Sequence, residues 1–189
     1  MSQVTRRAGP DAASLPRLLN RDAGPGLDSH FEHWGQMPGG GPALIAEVER
    51  AGLRGRGGAA FPTAVKLRAV AQGRQAVVVA NGMEREPVSG KDKVLMRLAP
   101  HLVVDGAVTA ARAVGARAAI VAVAQSARAE HESLEQALQE RRDDIRVEVA
   151  TVPDGFVSGE ETALLQALGG GPARPTTKPP YPFERGLRG

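Results

Sequence analysis

Three short apolar runs, separated by stretches of helical periodicity, constrain the fold of this chain more than any other feature. We predict strands at residues 75–80, 118–124 and 145–151, because these runs are short and rich in β-branched or alternating apolar residues. Helices are predicted between the strands, at residues 100–115 and 127–142. Strands joined through helices form parallel sheets, so the predicted fold class is α/β with a parallel sheet flanked by helices.

The composition agrees with such a fold and excludes several kinds of site. Only 3% of the 189 residues are aromatic, so the core must be built from Ala, Val and Leu, which favours helices packed closely on a sheet. The chain has no cysteine, which excludes disulfides, thiol nucleophiles, cysteine-ligated zinc and an iron–sulfur cluster held by this chain. None of the four histidines has metal-ligand spacing, so no metal is assigned.

Charge and hydropathy point away from nucleic acid and from membrane insertion. The formal net charge is +3, and the basic residues are scattered, without a block of like charges. No stretch approaches the roughly 20 apolar residues of a spanning helix, and residues 1–34 lack a signal-peptide core. We therefore expect no nucleic-acid partner, no direct membrane insertion and a cytoplasmic location.

The chain divides by composition into an arm and one domain. Residues 1–41 are predicted to be a flexible N-terminal arm and loop, since they are rich in Arg, Pro and Gly without a sustained period, with a loop at residues 30–41. Residues 42–189 form the domain, in which further helices are predicted from Pro42, at residues 64–71 and at residues 159–168. Residues 169–189 are expected to be irregular, and Arg141 and Arg142 to be a solvated helix end.

A glycine-rich loop at residues 55–58 is the strongest local signal for a ligand. Four glycines within seven residues leave backbone amides open to an anion, and Arg54, Arg56 and Lys66 add positive charge nearby. The loop is not the first turn of an ordinary dinucleotide-binding unit, because residues 43–50 before it look helical rather than extended. The alternative is a flexible surface turn.

Five sequence blocks in a consistent order resemble the FMN-binding domain of the 51-kDa (F-type) subunit of NADH:quinone oxidoreductase, respiratory complex I. They are residues 52–66 (GLRGRGGAAFPTAVK), 81–87 (NGMEREP) with Lys91-Asp92, 100–102 (PHL) with Asp105-Gly106, 158–164 (SGEETAL) and 178–182 (KPPYP). The resemblance implies a Rossmann-like α/β domain that holds FMN non-covalently and takes NADH as substrate. The implied function is an NADH dehydrogenase (quinone)-like flavoprotein, in which a hydride passes directly between the cofactors without a catalytic side chain.

The same resemblance carries a set of site residues onto this sequence. The positions that match the FMN pocket are Gly55, Arg56, Gly57, Gly58, Lys66, Asn81, Glu84, Gly159, Glu160 and Glu161. The positions that match the NADH side are Phe61, Glu86, Lys178 and Tyr181.

Each implied role has a physical basis and a plainer alternative. Lys66 supplies a positive charge for a flavin that becomes anionic on reduction, Phe61 and Tyr181 offer flat stacking surfaces, and Gly159 at a helix start leaves amides free near the ligand. Alternatively, Glu160 and Glu161 are favourable first-turn charges of a helix. Lys178 is then simply solvated, Phe61 a core residue and Asn81-Gly82 only a turn.

Departures from the family leave more than one function open. Met83 stands where the family usually has Asp, and the family continues beyond residue 189 into a ubiquitin-like insert and an iron–sulfur domain. We therefore expect a truncated domain that relies on electron-transfer partner subunits or on a missing iron–sulfur domain, either free in the cytoplasm or peripheral to a membrane complex. The alternatives are a non-catalytic flavin- or nucleotide-binding module and a relic without turnover.

Overall fold

The computed structural model describes residues 18–19, 23–55, 60–73, 75–84, 86 and 88–187, with only the backbone of Arg185. Within these residues the strands are β1 (Val78–Gly82), β2 (Ala118–Ala124) and β3 (Arg146–Val152). The helices are α1 (Leu27–Trp34), α2 (Ala43–Arg50), α3 (Thr63–Ala71), α4 (Lys91–Leu98), α5 (Pro100–Val114), α6 (Arg128–Gln139), α7 (Glu161–Leu168) and α8 (Pro182–Arg185).

The three strands form one parallel sheet in the order β1-β2-β3. Val121 at the centre of β2 is level with Ala80 of β1 and with Val149 of β3. Every strand is reached through a helical connection, so the predicted α/β class with a parallel sheet is confirmed. All three strands therefore end at the same edge of the sheet, and this carboxyl edge carries the loops that matter for function.

Small apolar side chains let α5 lie close to the sheet. Val104, Val108 and Ala111 of α5 are fully buried and belong to the same cluster as Val121 and Leu134. A second cluster, on Met83, Ala122, Ala124, Val152 and Leu164, lies at the carboxyl edge, beneath α7. The core is built from Ala, Val and Leu, as the scarcity of aromatic residues predicts.

Local signals set the ends of α5 and of the helices near it. Pro100 lies in the first turn of α5. Gly115 follows the last residue of α5, adopts a left-handed φ of 70° and donates its N–H to carbonyl oxygens of the last turn. Pro42 is the N-cap of α2, and α3 begins at Thr63. These elements agree with the sequence predictions.

Other elements differ from the predictions. The prediction of a loop at residues 30–41 is wrong for residues 30–34, because these residues belong to α1. Helix α4 is absent from the predictions, and α8 lies in a segment that is expected to be irregular. The last long helix begins at Glu161 rather than at Gly159, and β1 continues through Asn81 and Gly82.

Helix α1 is attached to α5 through buried polar groups. The buried His30 pairs with Asp105 of α5 through its Nε2 atom at 2.9 Å. The guanidinium of Arg141 donates to the other oxygen of Asp105 at 2.6 Å and to Asp143 at 2.7 Å, and its side chain is only 9% exposed. The prediction of a solvated Arg141 is therefore wrong, because two carboxylates hold it inside.

No single helix in the described part of the chain has both the length and the apolar character to cross a membrane. Within the same residues, the bent pair of α4 and α5 meets such a test on length and composition alone.

Candidate functional site

Asn81 joins the end of β1 to the loop that follows β3. Its Nδ2 donates to the carbonyl oxygen of Gly159 at 2.9 Å, and its Oδ1 accepts the backbone N–H of Met83 at 3.1 Å. A side-chain amide carries two N–H donors and two lone pairs on its oxygen, so one of each remains available to a further partner. The structure thus brings the predicted residues Asn81 and Gly159 together at the carboxyl edge of the sheet.

Glu160 caps the start of α7 with its own side chain. Its Oε2 accepts the backbone N–H groups of Thr162 at 2.8 Å and Ala163 at 3.2 Å, and the Thr162 hydroxyl at 2.5 Å. The amides of Thr162 and Ala163 at this helix start are therefore bonded within the chain. Glu160 is thus a favourable charge at a helix N-terminus, which is the plainer alternative given above.

Lys178 links both glutamates of the site. Its Nζ lies 2.7 Å from Oε1 of Glu160 and 2.6 Å from Oε1 of Glu161. Partial burial alone would raise the pKa of Glu160, but the ion pair with Lys178, the Thr162 hydroxyl and the two amides lower that pKa to about 2. The same carboxylates, Glu160 first, raise the pKa of Lys178. Glu160 and Lys178 are therefore charged at neutral pH, and the alternative of a simply solvated Lys178 is wrong.

Lys66 extends this group of charges toward the glycine-rich loop. Its Nζ lies 3.8 Å from Oε2 of Glu161 and 5.5 Å from the centre of the Phe61 ring, and its side chain is 44% exposed. This ammonium group has a long ion pair on one side and an aromatic face on the other. It is accordingly more open to an anionic ligand than Lys178, which is held by two short ion pairs.

A row of aromatic rings lies next to Lys66. The Phe61 and Phe183 ring centroids are 6.1 Å apart, and those of Tyr181 and Phe183 are 5.5 Å apart with an interplanar angle of 9°. Phe61 is 38% and Tyr181 is 43% exposed, so neither is a core residue. The two aromatic residues predicted for the NADH side are thus joined by a third, Phe183.

The described residues on either side of the glycine-rich segment pair with each other beside these rings. Arg54 and Pro62 form an antiparallel bridge, and the Gly55 N–H donates to the Phe61 carbonyl oxygen at 2.9 Å. Gly55 therefore lies next to the aromatic row. The predicted residues Arg56, Gly57 and Gly58 lie outside the described part of the chain.

Glu84 and Glu86 lie on the loop after β1, and neither belongs to the group of charges around Lys178. The Glu84 side chain is 1% exposed, and its carboxylate accepts the backbone N–H groups of Asp92 and Lys93 and the Ser89 hydroxyl, at the start of α4. Burial opposes ionisation of Glu84, yet these hydrogen bonds lower its pKa overall. Glu84 thus anchors the loop after β1. Glu86 is exposed on the same loop, and its carbonyl oxygen accepts the Ser89 N–H.

Two aromatic residues that follow the carboxyl edge of the sheet in the fold are absent from the sequence predictions. Phe183 belongs to the row described above, and Phe156, in the loop between β3 and α7, is 86% exposed. The chain contains only six Phe, Tyr and Trp residues, and four of them lie in loops or short segments around this edge. Because aromatic residues are so rare in the rest of the sequence, their concentration in these segments is the signal that could have identified them.

A parallel sheet with polar and glycine-rich loops at its carboxyl edge defines a class of nucleotide-binding α/β domains. A family model described as the Nuo51 FMN-binding domain (Complex1_51K) matches residues 48–187. The chain belongs to this family.

Similar proteins agree with this assignment. An F-type NADH-quinone oxidoreductase subunit of Rhizobium meliloti (strain 1021) is 38% identical over 161 residues, covering 77% of this chain and 37% of the relative. The mitochondrial NADH-ubiquinone oxidoreductase 51 kDa subunit of Neurospora crassa is 34% identical over 165 residues, with 77% and 34% covered. A crystal structure of an NAD⁺-reducing [NiFe]-hydrogenase in the H2-reduced state superposes with a TM-score of 0.68 at 37% identity, covering 78% of this chain and 27% of that one. The chain thus spans little more than a third of the length of the curated relatives it matches.

Proposed function

We propose that this chain holds FMN and NADH in an NADH dehydrogenase (quinone)-like electron-transfer protein. The observation that carries the proposal is the continuous group formed by Asn81, Glu160, Lys178, Glu161 and Lys66 at the carboxyl edge, with the aromatic row beside it. When bound, FMN supplies the acceptor for a hydride from NADH. The role of the chain is then to bind, orient and electrostatically balance the two ligands.

The donor set of the site fits FMN. Asn81 retains one N–H and one lone pair for the edge of a flavin ring, and Gly159 next to it lets the backbone approach closely. Lys66 stabilises negative charge in that neighbourhood, because its 3.8 Å pair with Glu161 is long and leaves its ammonium group partly uncompensated. These roles of Asn81, Gly159 and Lys66 are the ones we propose for the flavin side.

The phosphate of FMN needs a different place from the start of α7. Glu160 already satisfies the amides of Thr162 and Ala163, and its charge repels an anion. We therefore assign the phosphate to the glycine-rich loop, from Gly55 through Arg56, Gly57 and Gly58, with Lys66 as the nearby cation. Glu84 and Glu160 act by fixing the loops that carry the site.

The NADH side is assigned to Phe61, Tyr181, Lys178 and Glu86. Phe61 and Tyr181 present exposed rings for stacking on a planar base, and the exposed carboxylate of Glu86 accepts hydrogen bonds from a ribose. Lys178 holds the charges of Glu160 and Glu161 in balance. We propose residues 42–189 as the FMN-binding domain, working in the cytoplasm with partner subunits that accept its electrons.

Flavin absorbance tests this proposal directly. The purified chain is titrated with FMN and its visible spectrum is recorded anaerobically before and after NADH is added. A bound yellow flavin that NADH bleaches supports the proposal, and a bound flavin that NADH leaves unchanged supports the non-catalytic binding module instead. Absence of any flavin binding by the folded chain rules out both.

A matched pair of variants locates the site. Lys66→Met is expected to weaken FMN binding about tenfold or more, since it removes a charge-assisted contact. Lys93→Met makes the same chemical change in an exposed α4 side chain, keeps the backbone N–H bond of residue 93 to Glu84, and is expected to bind FMN like the wild type. Equal affinities of the two variants would place the flavin elsewhere.

A further inference from the structure

The short segment around α8 places a phenylalanine ring against both aromatic residues of the proposed NADH side. Phe183 contacts the Tyr181 ring almost in parallel at 5.5 Å and the Phe61 ring at 6.1 Å with an angle of 30°. A planar base that stacks on Phe61 and Tyr181 together has to occupy the same bridging position. Phe183 and such a base therefore compete for one place.

The segment that carries Phe183 has hydrogen bonds of its own. The Tyr181 N–H donates to the Glu184 carboxylate at 2.7 Å, the Glu184 N–H returns to the Tyr181 carbonyl oxygen at 2.8 Å, and the Gly186 N–H donates to Pro182 at 2.9 Å. Gly186 adopts a φ of 68°, which suits glycine at a chain reversal. Helix α8 can therefore shift without losing its internal bonds.

A surface groove separates part of the α8 segment from α7. An open groove of about 470 Å³ lies between this segment, at Tyr181, Pro182 and Gly186, and the α7 residues Thr162, Leu165 and Gln166. The Phe183 side chain is itself only half-buried. Moving the ring out of the aromatic row therefore sacrifices little core packing.

A cation lies beside the row. The Lys66 ammonium lies 5.5 Å from the centre of the Phe61 ring. A ligand that combines planar bases with phosphates suits this arrangement better than a neutral aromatic compound.

We propose that Phe183 is an internal stand-in for a planar ring of the dinucleotide, so that α8 is a plug that the bound nucleotide displaces. This inference rests on the proposed function, because it takes Phe61 and Tyr181 as stacking surfaces for NADH. Phe183 is then a specificity-determining residue: a ligand has to stack better than a phenyl ring to enter, which disfavours small or non-aromatic compounds.

Nucleotide affinity of matched variants tests the plug. NADH and NAD⁺ are titrated calorimetrically into the full chain as wild type, Phe183→Ala, Phe183→Leu and Phe31→Ala. Loss of one aromatic contact corresponds to about a two- to tenfold change, so Phe183→Ala is expected to bind the nucleotide that much more tightly, with Phe183→Leu between it and the wild type. Phe31, which is 42% exposed on α1, is the control and is expected to leave the affinity unchanged.

The results separate the plug from the proposed function. If the wild type binds NADH and Phe183→Ala binds it equally or more weakly, the plug is overturned while the function stands. If every folded variant fails to bind either nucleotide, both are overturned. Adding Tyr181→Ala to Phe183→Ala should remove the gain in affinity, and a gain that survives this change would also overturn the plug.

A spectroscopic readout distinguishes a plug from a stacking platform. The chain has only four phenylalanines, so labelling with 4-fluorophenylalanine gives four ¹⁹F resonances that single Phe→Leu replacements assign. On addition of NAD⁺, a displaced Phe183 moves toward its resonance position in the unfolded chain, while Phe61 does not. A Phe183 resonance that moves further from the unfolded position identifies a platform and contradicts the plug.

Discussion

The Asn81 side chain and the Gly159 carbonyl oxygen, 2.9 Å apart, tie the end of β1 to the loop that leads into α7. This bond connects two segments that are 78 residues apart in the sequence, across the carboxyl edge of the sheet. Gly82 follows Asn81 directly, and its lack of a side chain is what lets the end of β1 lie against β2 and α4.

Replacing Gly82 by Ala is expected to destabilise the fold. A Cβ at this position would lie 2.8 Å from the Met96 Sδ atom and 2.9 Å from the Ala122 carbonyl oxygen, and the latter cannot move without distorting the sheet. We expect Gly82→Ala to lower the free energy of unfolding by about 1–3 kcal/mol, as overpacking does. Urea denaturation followed by circular dichroism measures it.

The same substitution within α5 provides the control. A Cβ at Gly106 meets no atom within 4 Å, so Gly106→Ala is expected to raise the free energy of unfolding by about 0.5–1 kcal/mol, as alanine does in a helix. If both variants changed the free energy of unfolding in the same direction, that result would contradict the close packing of β1 against β2.

Glu160→Gln is expected to destabilise the start of α7 in a pH-dependent way. At pH 7 the loss of the charged cap should cost about 1 kcal/mol. The pKa of Glu160 falls from 4.5 to about 2 in the folded chain, so its carboxylate stabilises the fold fully above about pH 4.5. That stabilisation is lost as the pH falls toward 2, so the difference between wild type and variant should shrink over this window.

Urea denaturation at pH 7, 4 and 2.5 checks this expectation. Glu132→Gln, at an exposed position of α6 beyond its first turn, is the matched control and should differ little from the wild type at every pH. A difference between wild type and Glu160→Gln that stays constant with pH would mean that Glu160 is not held by Lys178 and the α7 amides.

Local patterns are sufficient to predict the centre of the fold. Strand β2 has the predicted bounds, because a buried parallel strand is a continuous apolar run, and α5 has both its proline and its glycine signals. Helix α4 carries Lys91, Asp92, Lys93 and Arg97 within eight residues, which hides its single buried residue, Met96. Its start depends on Glu84, a partner outside the helix.

Only part of the site can be predicted, because some of its residues, like the start of α4, depend on partners that are distant in sequence. Glycine content and the order of the sequence blocks identify Gly55, Lys66, Asn81, Gly159 and Lys178, which the structure places around one edge. No local pattern shows that Glu160 turns back onto its own helix, since its partners are set by the tertiary fold. Similarly, only the folded chain brings Phe183 to Phe61, across more than a hundred residues.

Arg141 and Arg142 are neighbours in sequence but are expected to respond very differently to mutation. Arg141 is 9% exposed and holds Asp105 and Asp143, whereas Arg142 is exposed. Arg141→Met leaves two shielded carboxylates without their cation and is expected to lower the free energy of unfolding by about 3 kcal/mol or more. Arg142→Met should change it by less than about 0.5 kcal/mol. Thermal and urea denaturation of the pair measure the contrast, and similar values for both would show that Arg141 is solvated after all.

His101 is expected to make the attachment of α1 sensitive to acid. Its ring lies 5.6 Å from that of His30, and its Nε2 contacts the Glu140 carboxylate at 3.1 Å, which also accepts the Leu27 N–H at the start of α1. Burial lowers the pKa of His101 from its usual value near 6.5, and the hydrogen bond to Glu140 offsets only part of this effect. The folded state therefore binds a proton less readily than the unfolded state, so stability should fall as the pH drops below about 6.5.

The single tryptophan reports on this region, because the Trp34 ring stacks on His30 with centroids 5.4 Å apart. Urea titrations followed by Trp34 emission at pH 7.5, 6.5 and 5.5 should show a falling free energy of unfolding in the wild type. His101→Gln removes the titrating group and should flatten this pH dependence, even though it also lowers stability at pH 7.5. His131→Gln, at a partly exposed position of α6, should retain the full pH dependence. If the free energy of unfolding still falls with pH in His101→Gln but no longer does so in His131→Gln, the acid sensitivity belongs to the surface and not to the interface between α1 and α5.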